Sequence, residues 1–261
     1  MKRLIIVEGL PCSGKSTTAR YIAEKLGYIY VDEGTCNHPA DYEFHAYLTE
    51  SDLEIFTESE RELINASKYP KSGGFIVPLR NFNGELLEKL LQYKIYDFLP
   101  WEIEYPIMLD KWREFMLNCH GNYVFNCVLL QNPMCETMMR FGFDEVISKS
   151  YIRQICDIIK PLSPVIIYLK NSSIYKSVKK ASSQRGDEWL NTVIDYHCNG
   201  EYGKSHGLSG FDGYISAIEE RQNRELKIIN ELDVETIVLD DPQTDWQSAY
   251  TVIISKLNEV N

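Results

Sequence analysis

Gly9-Leu10-Pro11-Cys12-Ser13-Gly14-Lys15-Ser16 constrains this chain more than any other stretch. It fits G-x-x-x-x-G-K-[ST], a loop that wraps phosphates in main-chain N–H groups. The flanks suit it: Leu4-Ile5-Ile6-Val7 reads as a short buried strand, and 17–26 reads as a helix. A strand that turns at once into a helix needs backbone angles that glycine reaches freely. The uncapped helix start then attracts anions. The pattern assigns Gly9, Leu10, Pro11, Cys12, Ser13, Gly14, Lys15, Ser16 and Thr17 to nucleotide binding. Lys15 reaches the β- and γ-phosphates and Ser16 contacts Mg²⁺. The expected cofactors are ATP and Mg²⁺.

Further apolar runs at 28–31, 123–130, 164–169 and 236–239 read as buried strands, giving five with 4–7. Helical spacing fills 17–26, 143–159, 173–182, 215–231 and 244–257. Alternating strands and helices predict an α/β fold, a three-layer α/β/α sandwich around a five-stranded parallel sheet. Ligands then gather beyond the carboxyl ends of the strands. A single domain over 1–261 accommodates these elements.

The 85 or so residues of 36–121 interrupt the rhythm and are too many for a plain loop. Helical spacing at 52–66, 85–98 and 107–117 predicts a helical insertion over the acceptor site. A second special segment, 176–213, carries Lys176, Lys179, Lys180 and Arg185 and then a run of glycines. It is expected to be a mobile lid, in which Arg185 closes over phosphates.

Charge narrows the partners. Lys and Arg number 27 against 38 Asp and Glu, a net charge of −11, which argues against a nucleic-acid backbone as partner. No apolar run approaches the roughly 18 residues a membrane span needs. The seven cysteines lack C-x-x-C spacing and read as reduced thiols of a cytoplasmic protein. Cys12, inside the phosphate loop, is a candidate redox-sensitive thiol.

The stretch from Leu4 to Thr17, with Glu8-Gly9 before the loop, resembles the opening of P-loop nucleoside/nucleotide kinases, the thymidylate and deoxynucleoside kinases among them. The likeness in detail covers about 30 residues, and the likeness in element order covers most of the chain. It implies strand order 2-3-1-4-5, an acceptor region after the second strand and a lid between the fourth and fifth. It also implies a catalytic carboxylate at the end of the second strand, where Tyr30-Val31-Asp32-Glu33-Gly34 places Glu33 as the base for the acceptor hydroxyl. The third strand departs from the family. Asn126-Cys127 stands where an acidic residue and an arginine are usual. Glu8, Asp32 or Glu33 is then left to serve the metal side, with Ser16.

Other residues fit secondary roles. Arg140, Arg153 and Arg221 are further phosphate clamps or structural ion pairs. His38 lies just past the second strand. Trp101, Trp112 and Phe115 either stack on a planar acceptor or fill a core. Gln131-Asn132 offers polar contacts, and Asp240-Asp241 lies where the family approaches adenine. The expected activity is transfer of the γ-phosphate of Mg-ATP to a small acceptor, whether nucleoside, nucleotide or antibiotic-like. The alternative is a nucleotide-dependent ATPase or switch without an acceptor. A homodimer through apolar insertion residues is compatible with either.

Overall fold

The computed structural model describes residues 3–259. It divides into two compact units, Met1–Asp32 with Asn118–Asn261, and Glu33–Leu117. In chain order the first unit opens with β1 (Leu4–Gly9), α1 (Lys15–Leu26) and β2 (Ile29–Val31). The second unit holds β3 (His45–Leu48), α2 (Glu58–Ser67), β4 (Tyr69–Lys71), β5 (Gly74–Pro78), α3 (Gly84–Leu91), the kinked α4 (Ile95–Phe98) and most of α5 (Trp101–Asn118). The chain then returns through β6 (Tyr123–Asn126), α6 (Gln131–Met134), α7 (Glu145–Ile159), β7 (Val165–Lys170) and α8 (Ile174–Arg185). It ends with α9 (Asp187–Asn199), α10 (Glu201–Ser205), α11 (Gly210–Asn230), β8 (Glu235–Asp240) and α12 (Trp246–Glu259).

Five strands form a parallel sheet in the order β2-β6-β1-β7-β8. Counted among themselves these are strands 2-3-1-4-5, the expected order. All six residues of β1 are buried, because it is central and covered on both faces. Ile5 and Val7 pack with Ala19 and Ile22 of α1 and with Ile253 and Leu257 of α12. α1 stops at Gly27, whose φ of 68° is the left-handed conformation that closes helices.

The third strand of this sheet is shorter than the 123–130 run implies. It ends at Asn126 because Cys127 and Val128 turn to φ 58° and 77°. A positive φ is unusual for a β-branched residue, and something must hold Val128 there.

The inserted unit is not purely helical. It contains a three-stranded antiparallel sheet, β3-β5-β4, packed through Ala46, Leu48, Phe75 and Val77 against Ile64 of α2 and Leu90 of α3. α2 begins with a capping box, Thr57 and Glu60 each satisfying the other's backbone N–H. α5 starts six residues before the expected 107, running through Pro106 at the loss of one helical hydrogen bond.

The segment 176–213 is built of helices α8, α9 and α10 and the start of α11, rather than of a glycine-rich loop. Its glycines sit at helix ends and close contacts: Gly186 separates α8 from α9, and a Cβ at Gly200 would collide with the backbone of Met139.

Candidate active site

Three neighbours shape the phosphate loop. Gly9 leaves β1 at φ 142°, where a Cβ would lie 2.6 Å from the Leu169 carbonyl oxygen and 2.8 Å from Ser13 Oγ. Gly14 caps α1 at φ 95°, and a Cβ there would strike the indole of Trp246, 2.7 Å from Cζ2. The loop is therefore wedged between β7 and α12, with no room for side chains on either glycine. Cys12 adopts φ 67° while carrying a side chain. No side chain caps α1, so its first amides face outward as an anion seat. Lys15 is buried and its Nζ donates to the Leu10 carbonyl at 3.1 Å, folded along the loop.

Asn126 joins two of the expected metal-side residues. Its Nδ2 donates to Ser16 Oγ at 3.0 Å and to Asp32 Oδ1 at 2.7 Å. A carboxylate only accepts, so Asp32 fixes the amide's orientation. Asn126 Oδ1 is buried with no hydrogen-bond partner, and Arg20 lies 3.6 Å from Asp32. Ser16, Asp32 and Asn126 thus offer hard oxygens from three elements, the donor type Mg²⁺ selects. The Asn126 NH₂ satisfies the same hydroxyl and carboxylate that a cation would draw on.

Glu8 corrects an expectation. Rather than facing a metal, its carboxyl is fully buried and accepts the amides of Leu129 and Leu130 at 2.8 Å each and of Gln131 at 3.3 Å. This holds the left-handed turn at Cys127 and Val128. Burial pushes the Glu8 carboxyl up to about 7, and the Leu130 amide opposes that rise. The Gln131 main chain is part of this turn.

Arg185, exposed at the end of α8, lies over the Trp189 ring at 5.1 Å. Its charge is felt at Cys12 in the phosphate loop, so Arg185 and the loop share one neighbourhood. Burial raises the Cys12 thiol above its usual range, with Arg185 and Lys15 opposing. That setting does not produce the thiolate a redox sensor needs.

The other arginines are tied down. Arg221, only 1% exposed, pairs with Glu225 at 3.1 Å and donates to Cys135 Sγ at 3.4 Å. Tyr168 of β7 completes this knot by donating to Glu225 at 2.5 Å. Arg140 pairs with Glu136 at 2.7 Å, and Arg153 reaches the Glu231 carbonyl at 3.5 Å. Asp240 pairs with Lys170, and Asp241 accepts the Ser172 amide, so both shape the turn after β8.

In the second unit, Glu33 opens the chain and precedes a turn held by Glu43, which accepts the amides of Gly34 at 2.7 Å and Cys36 at 3.3 Å. His38 is buried and its Nδ1 accepts the Ala40 amide at 3.2 Å. Trp112 and Phe115 are buried edge to face at 6.4 Å, which makes them core rather than a stacking platform. Trp101 is half-buried against Tyr105.

Two contributors escaped the sequence reading. Trp246 backs the loop from 232 residues away, and nothing in its helical spacing marks that contact. Asn126 looked like a loss. The signal was an amide beside two oxygen-bearing positions, but only the sheet pairing brings them together.

No family profile matches the chain. A stretch of 71 residues is 41% identical to the cytidylate kinase of Streptococcus mutans, covering 27% of this chain and 29% of the relative. A stretch of 35 residues is 51% identical to the cytidylate kinase of Cytophaga hutchinsonii, covering 13% and 15%. The matched stretches thus span less than a third of these relatives. A solved structure of deoxyadenosine kinase from M. mycoides with bound dATP aligns over 98% of this chain and 99% of its own, at 16% identity and a TM-score of 0.45. Loop, strand order and local similarity together describe a P-loop α/β chain that resembles nucleoside/nucleotide kinases.

Proposed function

We propose that this chain is a phosphotransferase that moves the γ-phosphate of ATP to a nucleoside, nucleotide or similar hydroxylated acceptor. The observation that carries the reading is the phosphate loop wedged between β7 and Trp246, with Lys15 and Ser16 at its helix start. The similarity to proteins named cytidylate kinases supports it.

In this reading the loop amides between Gly9 and Thr17, Pro11 having none, seat the triphosphate, and Lys15 leaves the Leu10 carbonyl for the β- and γ-phosphates. Ser16 and Asp32, with the Asn126 carboxamide, hold Mg²⁺, which when bound neutralises phosphate oxygens. Glu33 accepts the proton of the acceptor hydroxyl. Arg185 closes from the lid and spreads its charge over the transferring group. The 33–117 unit holds the acceptor. The seven free thiols suit a reducing compartment such as the cytoplasm.

The test is ADP release with ATP, Mg²⁺ and a panel of nucleosides, nucleoside monophosphates (cytidylate first) and hydroxylated antibiotics. Acceptor-dependent ADP that disappears in Lys15→Ala supports the reading. Intact ATP binding with no acceptor-dependent turnover counts against it.

A further inference from the structure

The second unit contains a lysine whose setting calls for a ligand. Lys111, on α5, is half-buried, yet it forms no ion pair among the described residues. Lysines are seldom buried without a partner. Its ammonium rests on the Tyr42 ring, 4.7 Å from the centroid. The same ring meets His45 edge-on at 5.3 Å.

The neighbouring charges leave a positive surplus. Lys71 is already bonded to Glu114 at 2.7 Å. Asp41 is buried and accepts the Tyr96 hydroxyl at 2.7 Å. Asp110 is held by Arg113 at 2.5 Å. Arg80 is exposed, lies two residues after Pro78, the register partner of His45, and forms no ion pair among the described residues. With Asp110 set against both Arg113 and Lys71, the four cations Lys71, Lys111, Arg80 and Arg113 outnumber the three carboxylates Glu114, Asp41 and Asp110 by one.

Two histidines complete the surroundings. His38 accepts the Ala40 amide on Nδ1, so its proton sits on Nε2 as a donor. His45 is 8% exposed, and its Nδ1 has no hydrogen-bond partner. Burial, and then Lys111, press both rings toward neutrality, to about 3 for His38 and about 4 for His45. Lys111 and Arg80, which form no ion pair among the described residues, beside neutral imidazoles form a seat for an anion.

We propose that Lys111, Arg80 and His45 form an anion site in the second unit that takes the phosphate of a phosphate-monoester acceptor. A monoester carries about −1.5 to −2 charges near neutrality and several acceptor oxygens, which matches two cations without an ion pair among the described residues and a buried ring. The step from anion site to acceptor site rests on the phosphotransferase reading above.

Two measurements test it separately. The full chain carrying Lys15→Ala, which disables the phosphate loop, is titrated with inorganic phosphate while histidine ring resonances are followed by NMR. Saturable shifts of His45, with apparent affinity weakened about 10-fold or more by Lys111→Met and retained in Lys111→Arg, support the site. Arg80→Ala, at an exposed position that leaves packing intact, weakens it in the same direction. No shift at His45, or phosphate binding indifferent to Lys111→Met and Arg80→Ala, overturns it. With Lys15 restored, Lys111→Met raises KM for a nucleoside monophosphate about 10-fold or more and leaves KM for ATP unchanged. Turnover of nucleosides alone, with monophosphates neither substrates nor inhibitors, overturns the acceptor assignment. Absence of any turnover counts against the phosphotransferase reading, and the NMR titration then decides the anion site alone.

Discussion

Asn126 donates to Asp32 at 2.7 Å while its second amide hydrogen meets Ser16 at 3.0 Å. An amide here, unlike a carboxylate, stabilises the neighbouring Asp32 without a metal. Asn126→Asp replaces a donor with a like charge at a buried position. It is expected to lower stability by about 1–3 kcal/mol in chelator-treated buffer, and Mg²⁺ restores part of that loss. Thermal denaturation with and without Mg²⁺ reads the effect, and equal melting of both proteins in chelator would contradict it.

Glu8 makes stability depend on pH in a direction opposite to most carboxylates. Its folded-state value, about 7, lies above the 4.5 of the free group. The native state therefore binds the proton more tightly. The contribution is complete below about pH 4.5 and disappears as pH rises through about 7. Relative to Glu8→Gln, the wild-type chain is expected to lose on the order of 3 kcal/mol across that window. Urea denaturation of both proteins from pH 5 to 8 measures the difference, and parallel curves would refute the assignment.

Gly14→Ala introduces a methyl group into the Trp246 indole at a left-handed φ of 95°. Strain and collision together are expected to cost about 2–4 kcal/mol and to abolish nucleotide binding. Trp246→Phe keeps the fold. Because Trp246 backs the loop, ATP is expected to change tryptophan fluorescence in the wild-type chain, with most of the change gone in Trp246→Phe. An ATP response of full size in that variant would separate Trp246 from the phosphate seat.

Arg185→Ala removes a charge that does not support the fold, since the side chain is exposed and rests on the Trp189 ring. The melting temperature is expected to stay within about 1 °C, ATP affinity to change little, and kcat to fall about 100-fold or more. An unchanged kcat would remove Arg185 from the catalytic group.

Arg221 and Glu225 behave differently because both are sealed from solvent. Arg221→Met strands a buried carboxylate and is expected to cost about 3–5 kcal/mol. The double change Arg221→Met/Glu225→Leu costs less than that single change. Additive losses in a double-mutant cycle would show that the two charges do not interact.

The parallel sheet was legible because its strands are short apolar runs that need cover on both sides, and Leu4-Ile5-Ile6-Val7 is the clearest of them. The antiparallel sheet of the insertion was not. His45–Leu48 is buried throughout and shows no alternation, and Tyr69-Pro70-Lys71 contains a proline. The remaining clue was Ser72-Gly73 between Lys71 and Gly74, the two-residue turn of a hairpin. At the site, the loop residues followed from local spacing alone. The Asn126 bridge and the Trp246 wedge depend on sheet register and helix packing across 94 residues or more, which no local pattern encodes.

The chain leaves the parallel sheet after Val31 and comes back at Tyr123, yet Ile29 and Tyr123 are register partners on adjacent strands. Adjacent strands lie about 5 Å apart in the hydrogen-bonding direction, and this parallel pair needs a crossover of only about a dozen residues from the end of β2 back to the start of β6, so most of 32–122 is an excursion beyond what the sheet's topology requires. Such a graft can be lengthened, trimmed or replaced without rethreading the nucleotide-binding scaffold. The same geometry makes β2–β6 pairing a long-range event in folding, and a shorter excursion would let that edge of the sheet assemble faster.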